Sequence, residues 1–298
     1  MANRLQIILS ALLLVSSVVS CGPPSPVPVA SRPAKPDPDA ARRGHILLDA
    51  ANCAECHTDG AHGGEPLAGG KAIPTAFGTF YSRNITPDPV HGIGAWTDAD
   101  FLRALRDGIS PDGAHYYPAF PFTSFTLMTD RDILDLRAYL ATLPPSTRAN
   151  RANDVAFPFD MRLMMVPWRW FNFERGPYIP DPTQSAEWNR GAYLANGVAH
   201  CGECHTPRDW LGALEQHRRF AGAKIPGVSL PAPNISSDPK DGIGAWNIDD
   251  VVTLLTSGQT RDGDVVSPPM ADVVAGTAKL SETDRHAIAV YVKSVPPQ

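Results

Sequence analysis

Cys53-Ala54-Glu55-Cys56-His57 and Cys201-Gly202-Glu203-Cys204-His205 spell C-x-x-C-H twice in a chain of 298 residues. Two thiols placed this way lie one helical turn apart, and the histidine follows directly. The spacing lets both cysteines form thioethers with the vinyl groups of one porphyrin, with the imidazole below the iron as proximal ligand. Cys53, Cys56, Cys201 and Cys204 are therefore the candidate covalent anchors, His57 and His205 the candidate iron ligands, and two haem c the expected cofactors. Other uses of C-x-x-C fit less well. A zinc ribbon places its second cysteine pair about 15–20 residues after the first, whereas here the two pairs stand half the chain apart. A thioredoxin-like dithiol needs neither a following histidine nor a second copy.

Of the five cysteines, four belong to these motifs and the fifth is Cys21. It follows Arg4 and the apolar run Ile7 to Val19, a charged start and short apolar core of the secretory kind, too short for a stable membrane span. Residues 1–20 thus read as a signal peptide. The residues Val18-Val19-Ser20-Cys21-Gly22 resemble a bacterial lipoprotein box, which implies lipidation of Cys21 and a chain tethered at the periplasmic side of a membrane. Segment 21–40 is the expected stalk: Gly22 to Asp39 holds seven prolines and no apolar periodicity.

With 43% hydrophobic and 19% charged residues, the chain can bury a core of two ordinary domains. A net charge of −5 without any basic run argues against nucleic acid as a partner.

The halves repeat each other beyond the cysteines. Asn84-Ile85-Thr86-Pro87-Asp88-Pro89 and Gly92-Ile93-Gly94-Ala95-Trp96 return as Asn234-Ile235-Ser236-Ser237-Asp238-Pro239 and Gly242-Ile243-Gly244-Ala245-Trp246. Each block leads into a capping-box start, Thr97 with Asp100 and Asn247 with Asp250, followed by apolar residues at helical spacing and a stop at Gly108 or Gly258. A closing helix repeats after Thr129 and Ser281. The pattern predicts an all-α fold in which residues 41–146 and 185–298 form small helical domains around one haem each, joined by an aromatic-rich linker, 147–184. Asn84, Trp96, Asn234 and Trp246 are candidate neighbours of the haem edges, as propionate donors or ring-packing groups.

The order of helix, C-x-x-C-H, long loop, helix, ligand loop and closing helix resembles that of class I cytochrome c. The N-I-T-P-D and G-I-G-x-W blocks, with Trp188-Asn189-Arg190-Gly191-Ala192-Tyr193-Leu194 before the second motif, resemble the cytochrome subunits of bacterial periplasmic dehydrogenases for alcohol, gluconate, sorbitol, aldehyde or molybdenum-hydroxylase partners. The resemblance runs from Ala41 to the end. It implies an electron-transfer subunit taking electrons from a periplasmic dehydrogenase and passing them to a quinone, an oxidase or another cytochrome of the respiratory chain. The commoner relatives carry three haem motifs, and this chain carries two.

The repeat breaks at the sixth iron ligand. Pro268-Pro269-Met270-Ala271 supplies Met270 in the second half, on the loop before the closing helix. The equivalent first-half residue is Phe120, which cannot bind iron. Met128 and His115 are the two nearby substitutes, and Met128 alternatively serves as an apolar staple before the closing helix. An iron left open at haem 1 would favour a haem enzyme of thiosulfate dehydrogenase or peroxidase type, the alternative to pure electron transfer. Finally, Phe157 to Tyr178 concentrates aromatic and sulfur-bearing side chains, interrupted by Arg162, Pro167 and Arg169. This stretch reads either as glue between the halves or as a docking surface for a dehydrogenase or a membrane.

Overall fold

The computed structural model describes residues 37–298; the expected signal peptide, Cys21 and most of the proposed stalk lie outside them. Helix α1 (Pro38–Ala50) starts where its chemistry allows. Asp37 caps it by accepting from the Asp39 amide, and Pro38 occupies a first-turn position whose missing N–H costs nothing. The helix takes in residues 38–40, which were expected to belong to the stalk. The first motif forms the short α2 (Cys53–His57), and after a long loop come α3 (Asp98–Asp107), α4 (Phe122–Phe125) and α5 (Asp130–Leu140). In the second half α7 (Ala186–Tyr193) leads to α8 (Gly202–His205), α9 (Ile248–Ser257), α10 (Met270–Thr277) and α11 (Glu282–Ser294), with α6 (Met165–Asn172) between the halves.

The capping chemistry forms as the pattern requires. Thr97 and Asp100 make a reciprocal capping box on α3, and Asn247 and Asp250 make the same box on α9. Thr129 and Ser281 accept from the amides of Asp132 and Asp284 at the starts of α5 and α11. Each cap contributes about 1 kcal/mol to its helix.

The all-α expectation needs amending. Strand β1 (Ala72–Thr75) pairs antiparallel with β2 (Gly78–Tyr81), Ile73 opposite Phe80, and β2 pairs with β3 (Asp154–Val155). Alternating Ile73, Thr75, Thr79 and Tyr81 suits a pleated ribbon, and β3 lies within the stretch expected to be linker. Residues 148–155 are in fact bound to the first half: the Arg148 guanidinium donates to Asp59 at 2.8 Å, and Asn150 accepts from the Asn84 amide at 2.8 Å. A second departure is the π-turn Leu194–Val198 between α7 and the second motif, with all five residues buried.

One apolar cluster runs through both halves, from Leu47, Phe101, Met128 and Ile133 to Leu194, Phe220, Ile288 and Tyr291. Its frame is two crossings, α1 on α5 and α7 on α11. Each is tied by a forked ion pair: Arg43 to Asp135 at 2.6 and 2.8 Å, and Arg190 to Asp284 at 2.7 and 3.0 Å. Between the halves, α10 packs on α1 and α4 packs on the π-turn. The Tyr193 hydroxyl reaches Asp132, and Ser124 donates to Glu203 at 2.6 Å.

The linker's role divides by residue. Met165 and Trp168 are buried with Phe122 and Ala213, and the Trp168 indole donates to the Leu211 carbonyl at 3.0 Å, so this part joins the halves. Phe157, Leu163, Trp170 and Phe171 remain more than 70% exposed. Among the described residues no helix is long and apolar enough to cross a membrane.

The loops that follow the repeated N-I-T/S blocks fold around Asp88 and Asp238. Backbone amides, chiefly that of His91 for Asp88 and that of Asp241 for Asp238, hold both carboxyls below the ordinary range. A lowered folded-state value adds stability at pH above about 3.9, the unfolded value, and that stability is lost as pH falls through the folded values. The thermal midpoint, followed by circular dichroism, is therefore expected to hold between pH 7 and 5 and to drop below about pH 4. Replacing both residues by asparagine flattens that acid slope; an unchanged slope would assign the drop to other groups.

Candidate haem-attachment sites

Each C-x-x-C-H is delivered by a non-glycine residue in the left-handed region, Asn52 (φ 49°) before Cys53 and His200 (φ 39°) before Cys201. This turn swings the chain out of the preceding helix, so that the motif begins a new short one. Burial pushes the Cys53 thiol up to about 12 and Cys201 up to about 11, and raises Cys56 and Cys204 as well. That is the reverse of a redox-active dithiol, whose attacking cysteine is held as thiolate. Among the described residues no three His, Cys, Asp or Glu side chains converge as a zinc site requires.

The two histidines are held alike. His57 Nδ1 donates to the Arg83 carbonyl at 2.6 Å, and His205 Nδ1 donates to the Pro233 carbonyl at 2.8 Å. In both, burial lowers the imidazole's pKa, with the carbonyl bond opposing it, so the ring is neutral at pH 7. A neutral ring that donates from Nδ1 presents the lone pair of Nε2, the arrangement that orients an imidazole toward a metal.

A loop repeated in both halves brings those carbonyls into place. The hydroxyls of Thr58 and Thr206 accept from the amides of Leu67 and Phe220 at 3.0 and 3.1 Å. The amides of Gly69 and Gly222 donate to the carbonyls of His57 and His205 at 2.7 and 2.8 Å, and those of Ile85 and Ile235 donate to the carbonyls of Leu67 and Phe220, each at 2.9 Å. Gly69 (φ 71°) and Gly222 (φ 83°) are required: a Cβ would lie 2.5 Å from the Arg83 carbonyl carbon at the first and 2.8 Å from the Asn234 nitrogen at the second. Sequence reasoning missed this loop, although Thr after each His and the pairs Leu67-Ala68-Gly69 and Phe220-Ala221-Gly222 were visible signals.

The two asparagines expected at the haem edges brace backbone segments in the structure. The Asn84 side-chain amide donates to the carbonyls of Ser146 and Arg148 at 2.8 and 3.0 Å, while its oxygen accepts from Thr86. With both hydrogens engaged and 2% of its surface exposed, it has no donor left for a propionate. Asn234 repeats the strut with the Gln298 carbonyl and the Ser236 amide. Trp96 and Trp246 are half-buried against the apolar cluster, together with Ile85, Leu102, Tyr116 and Phe120 in the first half and Ile235, Ile248 and Val252 in the second. These half-covered apolar side chains, two thiols and one oriented imidazole make a donor set and lining that fit a haem in each half.

Met270 opens α10 and is half-buried. Met128 is fully buried in the cluster that also holds Ala51, Phe101 and Phe125. His115 lies at the rim, its backbone carbonyl accepting from Arg162 at 2.9 Å, with its Nδ1 buried and unpartnered and its pKa lowered by burial and by Arg169. A surface cleft of about 820 Å³, bounded by residues such as Thr129, Tyr178 and Tyr193, contains no residue of either motif.

The sequence profile of cytochrome c matches residues 41–144. A diheme cytochrome c-type protein of Cereibacter sphaeroides is 44% identical over 277 residues, which are 89% of this chain and 92% of that protein. The chain belongs to the cytochrome c family. This cytochrome is also 41% identical over 290 residues to the fructose dehydrogenase cytochrome subunit of Gluconobacter japonicus, covering 96% of the chain and 58% of that subunit. The gluconate 2-dehydrogenase cytochrome c subunit of Pantoea cypripedii is 36% identical over 263 residues, 85% of the chain and 59% of the subunit. The cytochrome thus spans somewhat more than half the length of these dehydrogenase subunits.

Proposed function

We propose that this cytochrome is a dihaem electron-transfer subunit that accepts electrons from a dehydrogenase and passes them to a quinone, an oxidase or another cytochrome. The observation that carries the reading is the matched pair of Nδ1 to carbonyl hydrogen bonds, which leaves Nε2 of His57 and of His205 as the open ligand atom beside two cysteines. Haem c supplies one-electron exchange between ferric and ferrous iron. The chain's part is to anchor each ring through Cys53 and Cys56 or Cys201 and Cys204, to hold the imidazole in one tautomer, and to keep water from the ring with the surrounding apolar side chains. Residues 41–146 and 185–298 are taken as tandem class I cytochrome c domains, with the structured end of segment 147–184 serving the first. Export, lipidation at Cys21 and residence at the periplasmic side of a membrane complete the proposal. Mass spectrometry of the exported protein, read for two covalent haem increments, tests it; a colourless protein would end it.

The sixth ligands are assigned to Met270 for haem 2 and Met128 for haem 1. Met128 is favoured over His115 because it is fully buried in the apolar cluster that also contains Ala51 and has Cys53 packed against it, whereas His115 sits near Arg162 and Arg169. Met128→Leu keeps the buried volume and is expected to cost under about 1.5 kcal/mol of stability, while removing one of two sulfur-to-iron absorption bands and lowering the potential of haem 1. His115→Ala is expected to keep both bands. A wild-type protein with a single sulfur-to-iron band that Met128→Leu leaves unchanged would assign the ligand to His115, and prompt carbon monoxide binding by the reduced wild type would favour a haem enzyme instead.

A further inference from the structure

His200 stands immediately before the second motif, in the same left-handed conformation as Asn52 before the first. Asparagine is among the few side chains at ease in that region, so Asn52 meets the conformational need alone. Histidine adds contacts that reach the other half. Its Nε2 donates to the Ala51 carbonyl at 3.2 Å, two residues ahead of Cys53. Its ring meets Phe125 edge-on, centroids 5.3 Å apart, and Phe125 touches Phe120 at 5.7 Å. Phe120 is the residue that replaces a methionine in the first half's ligand loop. One imidazole therefore bonds to the threshold of the first motif, ends a row of rings from that loop, and is covalently next to Cys201. The motifs are close: this bond sets a side-chain atom of the residue before Cys201 at 3.2 Å from the carbonyl oxygen of the residue two before Cys53.

We propose that His200 is the positioning residue that holds the two attachment motifs at one separation and so sets the rate at which their irons exchange an electron. The inference rests on the two-haem reading. In the exchange one iron is oxidised as the other is reduced, a single electron passes, and no proton or outside oxidant takes part. Without the bond to Ala51 and the contact with Phe125, the second motif keeps a direct tie to the first half through its own Glu203, which accepts from Ser124, while the helix contacts between the halves hold the frame without fixing the start of the motif.

The test uses the full, exported protein. His200→Asn reproduces the residue of the first half and keeps the left-handed turn. It is expected to retain both haems and both absorption bands, to slow intramolecular exchange after partial pulse reduction severalfold, and to weaken the magnetic interaction between the two ferric irons in electron paramagnetic resonance. Phe125→Leu, which leaves the turn untouched, is expected to change both readouts in the same direction and by less. Wild-type exchange and coupling in a two-haem His200→Asn protein overturn the proposal; if that variant fails to incorporate haem, wild-type values in Phe125→Leu overturn it. A wild-type protein lacking two haems would instead defeat the reading on which it rests.

Discussion

Valine at Gly44 or at Gly191 is expected to prevent stable folding of the half that contains it. At Gly44 a Cβ would stand 1.9 Å from the Asp135 carbonyl oxygen and 2.5 Å from its carbon; at Gly191 it would stand 1.9 Å from the Ala287 oxygen and 2.8 Å from the Tyr291 Cβ. The obstacle is the backbone of the facing helix, so no side chain can rotate away, and each crossing would have to open. Opening α1 from α5 breaks the forked Arg43 to Asp135 pair and uncovers Leu47, Leu48, Ile133 and Leu136. The loss exceeds about 3 kcal/mol, a large part of what a domain of this size possesses. Thermal unfolding followed by circular dichroism checks it. A midpoint within a few degrees of wild type would mean that the crossings are looser than they stand here.

The second large effect concerns cofactor attachment. Replacing Cys201 and Cys204 together by alanine is expected to remove one haem from the mass of the exported protein, halve its haem absorbance, and leave the first-half spectrum in place. Replacing Cys53 and Cys56 does the converse. Half-buried Ile235, Ile248 and Val252 pack on the apolar cluster and stay partly uncovered on their other side, so loss of the second haem is expected to leave apolar surface exposed, and increased susceptibility of 185–298 to limited proteolysis should accompany it. Two intact haem increments in either double variant would overturn the attachment assignment.

Much of this was legible in contiguous residues. The two C-x-x-C-H motifs, the capping boxes at Thr97 and Asn247, the caps at Thr129 and Ser281, and the repeat of the N-I-T/S and G-I-G-x-W blocks are signals whose physics acts within a few residues, and the structure forms each helix start as those residues prescribe. Other features were hidden for physical reasons. The small sheet joins residues 72–81 to 154–155, a pairing that no local period announces. Asn84 carries the same letter whether its amide faces a propionate or a backbone carbonyl, and only the path of residues 146–148 brings the two carbonyls that take both of its hydrogens. Aromatic density in Phe157 to Tyr178 suggested glue or docking, and exposure divides it: Trp168 inward, Trp170 outward.

Family, motif chemistry and helix boundaries were thus set by the chain's linear order, because thioether spacing, capping and apolar periodicity are short-range properties of neighbouring residues. The tautomer of each histidine, the strut role of the two asparagines, the need for glycine at the helix crossings and the approach of His200 to Ala51 were decided only by three-dimensional packing. Each depends on a backbone carbonyl brought in from a distant part of the chain, and a backbone carbonyl has the same chemistry in every residue, so it leaves no letter in the sequence to mark its place.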